Sequence, residues 1–282
     1  MDAEIETKTE EAATAVSNAD ALLITAGAGM GVDSGLPDFR GDKGFWKAYP
    51  PFERLGVSFV DMANPGWFVR DPELAWGFYG HRLGLYRATE PHSGFGILRR
   101  WAENLEHGSF VFTSNVDGHF QRAGFDRDRV IECHGSISHL QCTEPCSNEI
   151  WRADDFEIEV DEESFRAVSA LPECPRCGAV ARPNVLMFGD WHWIPARTSA
   201  QERRLSQWLA QAAGPDLVIV ELGAGSAVPT VRMTSEQIAS RAGATLIRIN
   251  PREPQVRHGH VGIAANALEA LKAIDRRLSA TT

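Results

Sequence analysis

No stretch of this sequence approaches the roughly 20 consecutive apolar residues of a helical membrane span, and it has no internal repeat or low-complexity tract. The opening residues, MDAEIETKTEEAATAV, are acidic and helix-prone and lack the basic n-region and apolar core of a secretory signal. The expectation is an ordinary globular protein of the cytoplasm, without a membrane partner. Positive charge is also scarce: 28 Lys and Arg stand against 38 Asp and Glu, a formal net charge of −10. A nucleic-acid surface needs an excess of cations to neutralise phosphates, so direct nucleic-acid binding is not expected. Its glycine-rich turns do not have the GxGxxG spacing of the common dinucleotide fingerprint. The chain does have 282 residues, 43% of them hydrophobic, enough for one large domain with a small accessory one. Nothing in the pattern fixes the oligomeric state.

Cysteines are few, but four of the five form two close pairs, Cys142-Thr-Glu-Pro-Cys146 and Cys174-Pro-Arg-Cys177, with 27 residues between the pairs. In a reducing compartment such pairs read as zinc ligands sooner than as disulfides. Four thiolates close a tetrahedral shell and leave no position for substrate, so one structural zinc is expected, holding a fold together and doing no chemistry. Cys133 is left over as a small buried hydrophobe.

Apolar, β-branched runs at Ala21 to Thr25, Phe110 to Ser114, Leu217 to Leu222 and Thr245 to Asn250 read as buried parallel strands alternating with helix-prone stretches. The fold class is α/β, a Rossmann-like doubly wound parallel sheet with helices on both faces. Ligands of such sheets bind beyond the carboxyl ends of the strands. The GAGMG turn, Asn115 and Asp117, the GAGS turn and Asn250 all follow those ends, which turns separate weak motifs into one site. Two insertions interrupt the pattern. Residues 42–91, rich in aromatics and with a helical stretch near Pro72 to Tyr86, predict a helical lid. Residues 138–182 carry the four paired cysteines and an acidic middle, Asp154 to Glu163, expected as an exposed loop. Residues 1–41, 92–137 and 183–282 are left for the nucleotide-binding domain, and the insertions are expected to form a small domain with too little core to stand without metal.

The richest stretch is Gly27 to Gly41, GAGMGVDSGLPDFRG, which combines a glycine-rich turn with the triplet Asp38-Phe39-Arg40. A glycine turn after a buried strand lets backbone N–H groups approach a pyrophosphate. The whole stretch resembles the cofactor loop of the sirtuins, NAD-consuming protein lysine deacylases, in its usual form GAGISxxSGIPDFRG. TSNVDGHFQRAG, Thr113 to Gly124, resembles the second sirtuin signature TQNIDGLHxxAG. Cys133-His134-Gly135-Ser136 resembles the catalytic HG that follows it. A lone histidine between a strand end and a glycine also suits a general base near neutral pH.

The resemblance implies a reaction in which NAD, a co-substrate, loses nicotinamide and accepts the acyl group of a protein lysine, giving free lysine and O-acyl-ADP-ribose. His134 would be the base. Asn115 and Asp117 would hold the nicotinamide carboxamide, Phe39 would cover the reactive centre, and Asp38 and Arg40 would complete the pocket with Gly27, Ala28, Gly29 and Ser114. Gly223 and Ser226 would meet phosphates, and Asn250 and Ala264 would lie near the adenosine ribose and adenine. RPNVLMFGD, Arg182 to Asp190, resembles the family loop RPxVVxFGE, where the substrate peptide adds as a strand. Val185, Phe188 and Gly189 are the expected contacts there. Tyr79 and Arg82, at i and i+3 on one helical face, resemble the Tyr-x-x-Arg of class III sirtuins, whose acyl pocket binds succinyl- or malonyl-lysine carboxylates. The chain is thus similar to bacterial-type sirtuins with class III features, acting as deacetylase, desuccinylase or demalonylase. Acidic surroundings would attract lysine-bearing partners.

The match has departures. Gly31 replaces a serine, Ser114 replaces a glutamine, Phe95 stands where histidine is frequent, and GAGSAVPT replaces GTSxxVxP. Trp191-His192-Trp193 directly follows FGD. The same pocket serves two alternatives, an NAD glycohydrolase or ADP-ribosyltransferase and a non-enzymatic NAD-sensing protein.

Overall fold

The computed structural model describes residues 3–37, 41–154 and 156–281. Helix α1 (Ala3–Ser17) leads into β1 (Ala21–Ala26), followed by the short helices α2 (Gly29–Val32), α3 (Gly41–Ala48), α4 (Pro50–Arg54), α5 (Phe59–Met62) and α6 (Trp67–Arg70). The longer α7 (Pro72–Ala88) and α8 (Ser93–Ala102) precede β2 (Ser109–Thr113), α9 (His119–Arg122) and β3 (Val130–Glu132). Then come β4 (Gly135–Cys142), β5 (Ile150–Arg152), β6 (Ala181–Val185), α10 (Ala196–Ala212), β7 (Leu217–Leu222), α11 (Thr230–Ala242), β8 (Thr245–Ile249), β9 (Val261–Ile263) and α12 (Ala267–Thr281).

The main sheet is parallel, in the order β3-β2-β1-β7-β8-β9. With its strands counted along the chain, this is the doubly wound order 3-2-1-4-5-6, whose direction reverses between β1 and β7. Alternation along β1 shows why both faces are covered. Leu22 and Ile24 pack with Val16 of α1, Leu98 of α8 and Leu271 of α12. Leu23 turns to the other face, against Leu205 and Trp208 of α10 and Val231 of α11. The four strands expected from apolar runs are present with ends shifted by no more than one residue. The edge strands β3 and β9, three residues each, complete the sheet.

A second lobe joins the helical insertion to an antiparallel sheet, β5-β4-β6. Its core is aromatic: Phe45, Tyr49, Phe52 and Phe78 interlock at ring-centroid distances of 5.2–6.1 Å, and Trp76, Leu140, Ala181 and Val185 close it. The two insertions share this core. Helix α7 starts where the sequence provides a stop: Asp71 accepts the Leu74 N–H (3.3 Å) and Pro72 fills the first helical position. In the acidic segment Asp154, Glu157, Glu159, Asp161, Glu162 and Glu163 are exposed, while Phe156, Ile158 and Val160 are packed against the aromatic core. Just beyond it, Arg166 pairs with Asp71 at 2.6 Å.

Candidate functional site

The loops after β1 and β7 meet backbone to backbone at the reversal point. A Cβ on Gly27 would lie 2.8 Å from Ala224 Cα, and one on Gly223 would lie 2.4 Å from Gly29, so only glycine fits this crossing. The Gly27 N–H donates to Leu222 O and the Gly29 N–H to Gly223 O, both at 3.0 Å. Those two donors, expected for a pyrophosphate, are spent on joining the loops. Gly27 and Gly29 therefore shape the loop crossing, with Ala28 between them. Asp38, Phe39 and Arg40 lie outside the described residues.

Ser226 is likewise occupied: its N–H and Oγ each donate to the Glu253 carboxylate at 2.9 Å, and Arg232 donates to the same group at 2.8 Å. Sequence reading missed Glu253 and Arg232, which no local pattern connects. Asn250 is buried, with Nδ2 donating to Ala224 O (2.8 Å) and Oδ1 accepting the N–H groups of Arg252 and Glu253 (3.0 Å each). Its side chain fastens the β8 loop to the β7 loop, the strand-end role open to any such asparagine. Ala264 stands exposed at the end of β9.

Beyond β2 and β3 the expected catalytic residues come together. Ser114 N–H donates to Ala26 O (3.1 Å), and Asn115 Nδ2 donates to Gly27 O (3.0 Å), tying this loop to the glycine turn. Thr113 Oγ accepts the Asn115 N–H at 3.0 Å. Asp117 Oδ1 accepts the His119 N–H at 2.9 Å and turns the chain at Gly118, whose φ is 73°. The link Cys133-His134 carries the chain from the main sheet into β4, and two backbone bonds, Cys133 N–H to Thr113 O (2.8 Å) and Ile137 N–H to Val116 O (3.0 Å), hold it against the loop of Asn115 and Asp117. Burial lowers the His134 pKa below its usual value, so the imidazole is neutral at pH 7 and able to take a proton. Asn115 keeps Oδ1 and Asp117 keeps Oδ2 as acceptors, a pair that fits the N–H groups of a carboxamide.

Val185 ends β6 in the second lobe's core, and the next residue, Leu186, donates its N–H to His134 O at 2.9 Å. Phe188 N–H then donates to Ala63 O (2.9 Å), and Asn64 Nδ2 donates to Phe188 O (3.4 Å), so Phe188 and Gly189 lie against the helical insertion. An ion pair missed from sequence fixes this segment. Arg182 holds both oxygens of Asp190 at 2.8 Å, with both side chains wholly buried.

Tyr79 and Arg82 are both buried on α7. Arg82 donates to Tyr86 Oη through Nε (3.0 Å) and Nη2 (2.5 Å), and lies 5.2–5.9 Å from the rings of Phe78, Tyr79 and Tyr86. Burial raises the pKa of Tyr79 and of Tyr86, so both phenols stay protonated. The negative charge of Asp117 also raises the Tyr86 pKa. Tyr86 was legible: it follows Arg82 at i+4 on the same helical face.

The sulfur atoms of Cys142, Cys146, Cys174 and Cys177 all lie within 4.8 Å of one another, with Cys142 and Cys177 at 3.7 Å and Cys146 and Cys174 at 3.6 Å. A tetrahedral zinc with Zn–S bonds of about 2.3 Å separates its sulfurs by about 3.8 Å, so the cluster fits one structural zinc. Cys133, half-buried and packed beside α10, takes no part; burial pushes its thiol up to about 12.

Among the described residues, no helix is long and apolar enough to cross a membrane. Residues 27–209 match the Sir2 family. An NAD-dependent protein deacylase of Aeropyrum pernix is 33% identical over 241 residues, covering 86% of this chain and 85% of that protein. One of Aquifex aeolicus is 31% identical, covering 83% and 85%. Among solved structures, a Sir2 homologue in complex with NAD superposes with a TM-score of 0.73 at 27% identity, covering 96% of this chain and 94% of that one. A mutant Sir2 homologue in complex with ADP-ribose gives 0.69 at 25% identity, covering 100% and 98%. In sequence signatures, strand order and cysteine cluster alike, the chain belongs to the Sir2 family.

Proposed function

We propose that this chain is an NAD-dependent protein-lysine deacylase, in which residues 1–41, 92–137 and 183–282 hold NAD and the insertions 42–91 and 138–182 build the acyl pocket and the zinc module. The observation that carries the reading is the meeting, through backbone bonds, of three parts. These are the carboxamide-binding pair Asn115 and Asp117, the neutral base His134, and the segment from Val185 to Gly189. NAD supplies both a leaving group, nicotinamide, and a ribose hydroxyl that accepts the acyl group. Asn115 Oδ1 and Asp117 Oδ2 orient the carboxamide, and His134 removes the proton of the accepting hydroxyl. The substrate chain lies beside Val185, Phe188 and Gly189, and its acyl-lysine reaches inward past His134 towards α7.

Tyr79, Arg82 and Tyr86 support the finer reading that the acyl group carries a carboxylate, as succinyl and malonyl groups do. A buried guanidinium gives such a carboxylate a charge-assisted partner, about 1.5–3 kcal/mol per hydrogen bond. Arg82→Met should then lower desuccinylation by roughly 10- to 100-fold more than deacetylation; equal losses on the two substrates remove this reading. Acylated lysines of proteins are the proposed partners. The cysteine cluster, which suits a reducing compartment, supports a cytoplasmic location. The decisive experiment incubates the protein with NAD and acetyl, malonyl and succinyl peptides and identifies the products by mass spectrometry. O-acyl-ADP-ribose is expected; ADP-ribose formed with every peptide intact would replace the deacylase with a hydrolase.

A further inference from the structure

Glu132, the last residue of β3, is 1% exposed and stands two residues before His134. Because β3 is an edge strand, its outward backbone groups have no further strand to pair with. Helix α10 takes them instead: Gln201 Oε1 accepts the Glu132 N–H at 3.1 Å, and Thr198 Oγ donates to Glu132 O at 3.2 Å. Arg197, beside Thr198 in the chain, donates through Nη2 to Glu132 Oε2. The first two turns of one helix thus grip the backbone and the side chain of a single buried acid, and the reaction described above does not call on either charge.

The strand register gives this grip a use. Glu132 is the partner of Thr113 on β2, whose Oγ accepts the Asn115 N–H and whose carbonyl accepts the Cys133 N–H. A displaced Glu132 therefore moves both the link that carries His134 and the loop of Asn115 and Asp117. The charge balance here depends on Arg197. Burial raises the Glu132 pKa, Arg197 lowers it, and the negative charge of Asp117 raises it again. Among the described residues no group bonds Glu132 Oε1, so Arg197 is the cation that offsets two carboxylates of like sign. We propose that Arg197 and Glu132 are positioning residues for the deacylation step, their ion pair fixing His134 and the Asn115–Asp117 loop against α10 at the spacing the chemistry needs. The proposal rests on the deacylase reading.

The test compares Arg197→Gln, Arg197→Lys, Glu132→Gln and the double variant Arg197→Gln/Glu132→Gln with the native protein. Lysine deacylation, NAD affinity and thermal melting are all measured. Arg197→Gln strands a buried carboxylate, and should lower kcat by about 10- to 100-fold and weaken NAD binding, since small misplacements of reacting groups cost that much. The peptide KM should stay within about 2-fold, because the segment from Val185 to Gly189 keeps its bond to Ala63 and the Arg182–Asp190 pair. Glu132→Gln should lose far less, for the cation it strands is 21% exposed and reaches water. The double variant, an uncharged pair that still hydrogen-bonds, and Arg197→Lys, which keeps the charge, should both turn over well above Arg197→Gln. Should Arg197→Gln fail to fold, those two variants still decide: near-native kcat in both upholds the proposal, and a 10-fold loss in both overturns it. A lowered Tm with unchanged kcat in Arg197→Gln, or a double variant no faster than Arg197→Gln, marks a purely structural pair and overturns it too. A native protein that binds NAD but frees no lysine overturns the deacylase reading instead. The same ranking of the variants in NAD affinity then upholds the positioning, and equal affinities overturn it.

Discussion

Arg182→Met removes the cation that holds the end of the peptide-binding segment. In the native protein Arg182 and Asp190 are both completely buried and joined by two hydrogen bonds of 2.8 Å. The substitution leaves the Asp190 carboxylate with only the N–H groups of Met187 (3.4 Å) and His192 (3.2 Å), both long. Breaking one side of a buried pair costs about 3–5 kcal/mol, because the remaining charge stays out of water. For a chain of this size each kcal/mol lowers Tm by about 2–4 °C, so a loss of roughly 6–20 °C is expected. The double variant Arg182→Met/Asp190→Leu should recover most of it, since an apolar pair of similar volume needs no desolvation of charge. Thermal melts of the three proteins, with kcat/KM for an acyl peptide beside NAD affinity, read all of this out. A Tm loss below about 2 °C for Arg182→Met, or no recovery in the double variant, refutes the reasoning.

Other outcomes follow from the same geometry. Because burial lowers the His134 pKa, the acid limb of kcat/KM should fall below pH 6.5; a limb centred above 6.5 would contradict a desolvated base. Burial and the nearby Arg197 and Arg152 charges hold the His139 pKa at about 4. The unfolded chain gains that proton near pH 6.5, so this group leaves stability intact above pH 6.5 and reduces it as pH falls towards 4, which urea midpoints across that range will show. One zinc per chain is expected by elemental analysis, and strong chelation should lower Tm and peptide turnover together; a metal-free protein with unchanged melting and turnover would dismiss the structural zinc.

The residues themselves explain what could be read in advance. Leu22 to Ile24 and Leu217 to Leu222 are continuous apolar runs because both faces of their strands are covered, and such runs are visible without a structure. Strands β3 and β9 were invisible, since three residues carry no period. Asn115, Asp117 and His134 were singled out by motif resemblance, and the structure adds the backbone bonds that bring their segments together. The glycines stood out as a turn, and their long-range role lies in packing. Gly27 and Gly223 are required where two loops cross, a contact between residues nearly two hundred positions apart in the sequence. Glu253 on Ser226 and Asp190 on Arg182 depend on side-chain placement, and no periodicity encodes them.

The most direct measurement is the ratio of nicotinamide released to lysine deacylated, taken with His134→Ala as the partner experiment. Deacylation coupled to NAD cleavage predicts one nicotinamide for each lysine freed by the native protein, with O-acyl-ADP-ribose formation abolished in His134→Ala while NAD still binds. Nicotinamide released from NAD with the acyl peptide untouched, or full turnover by His134→Ala, would contradict it.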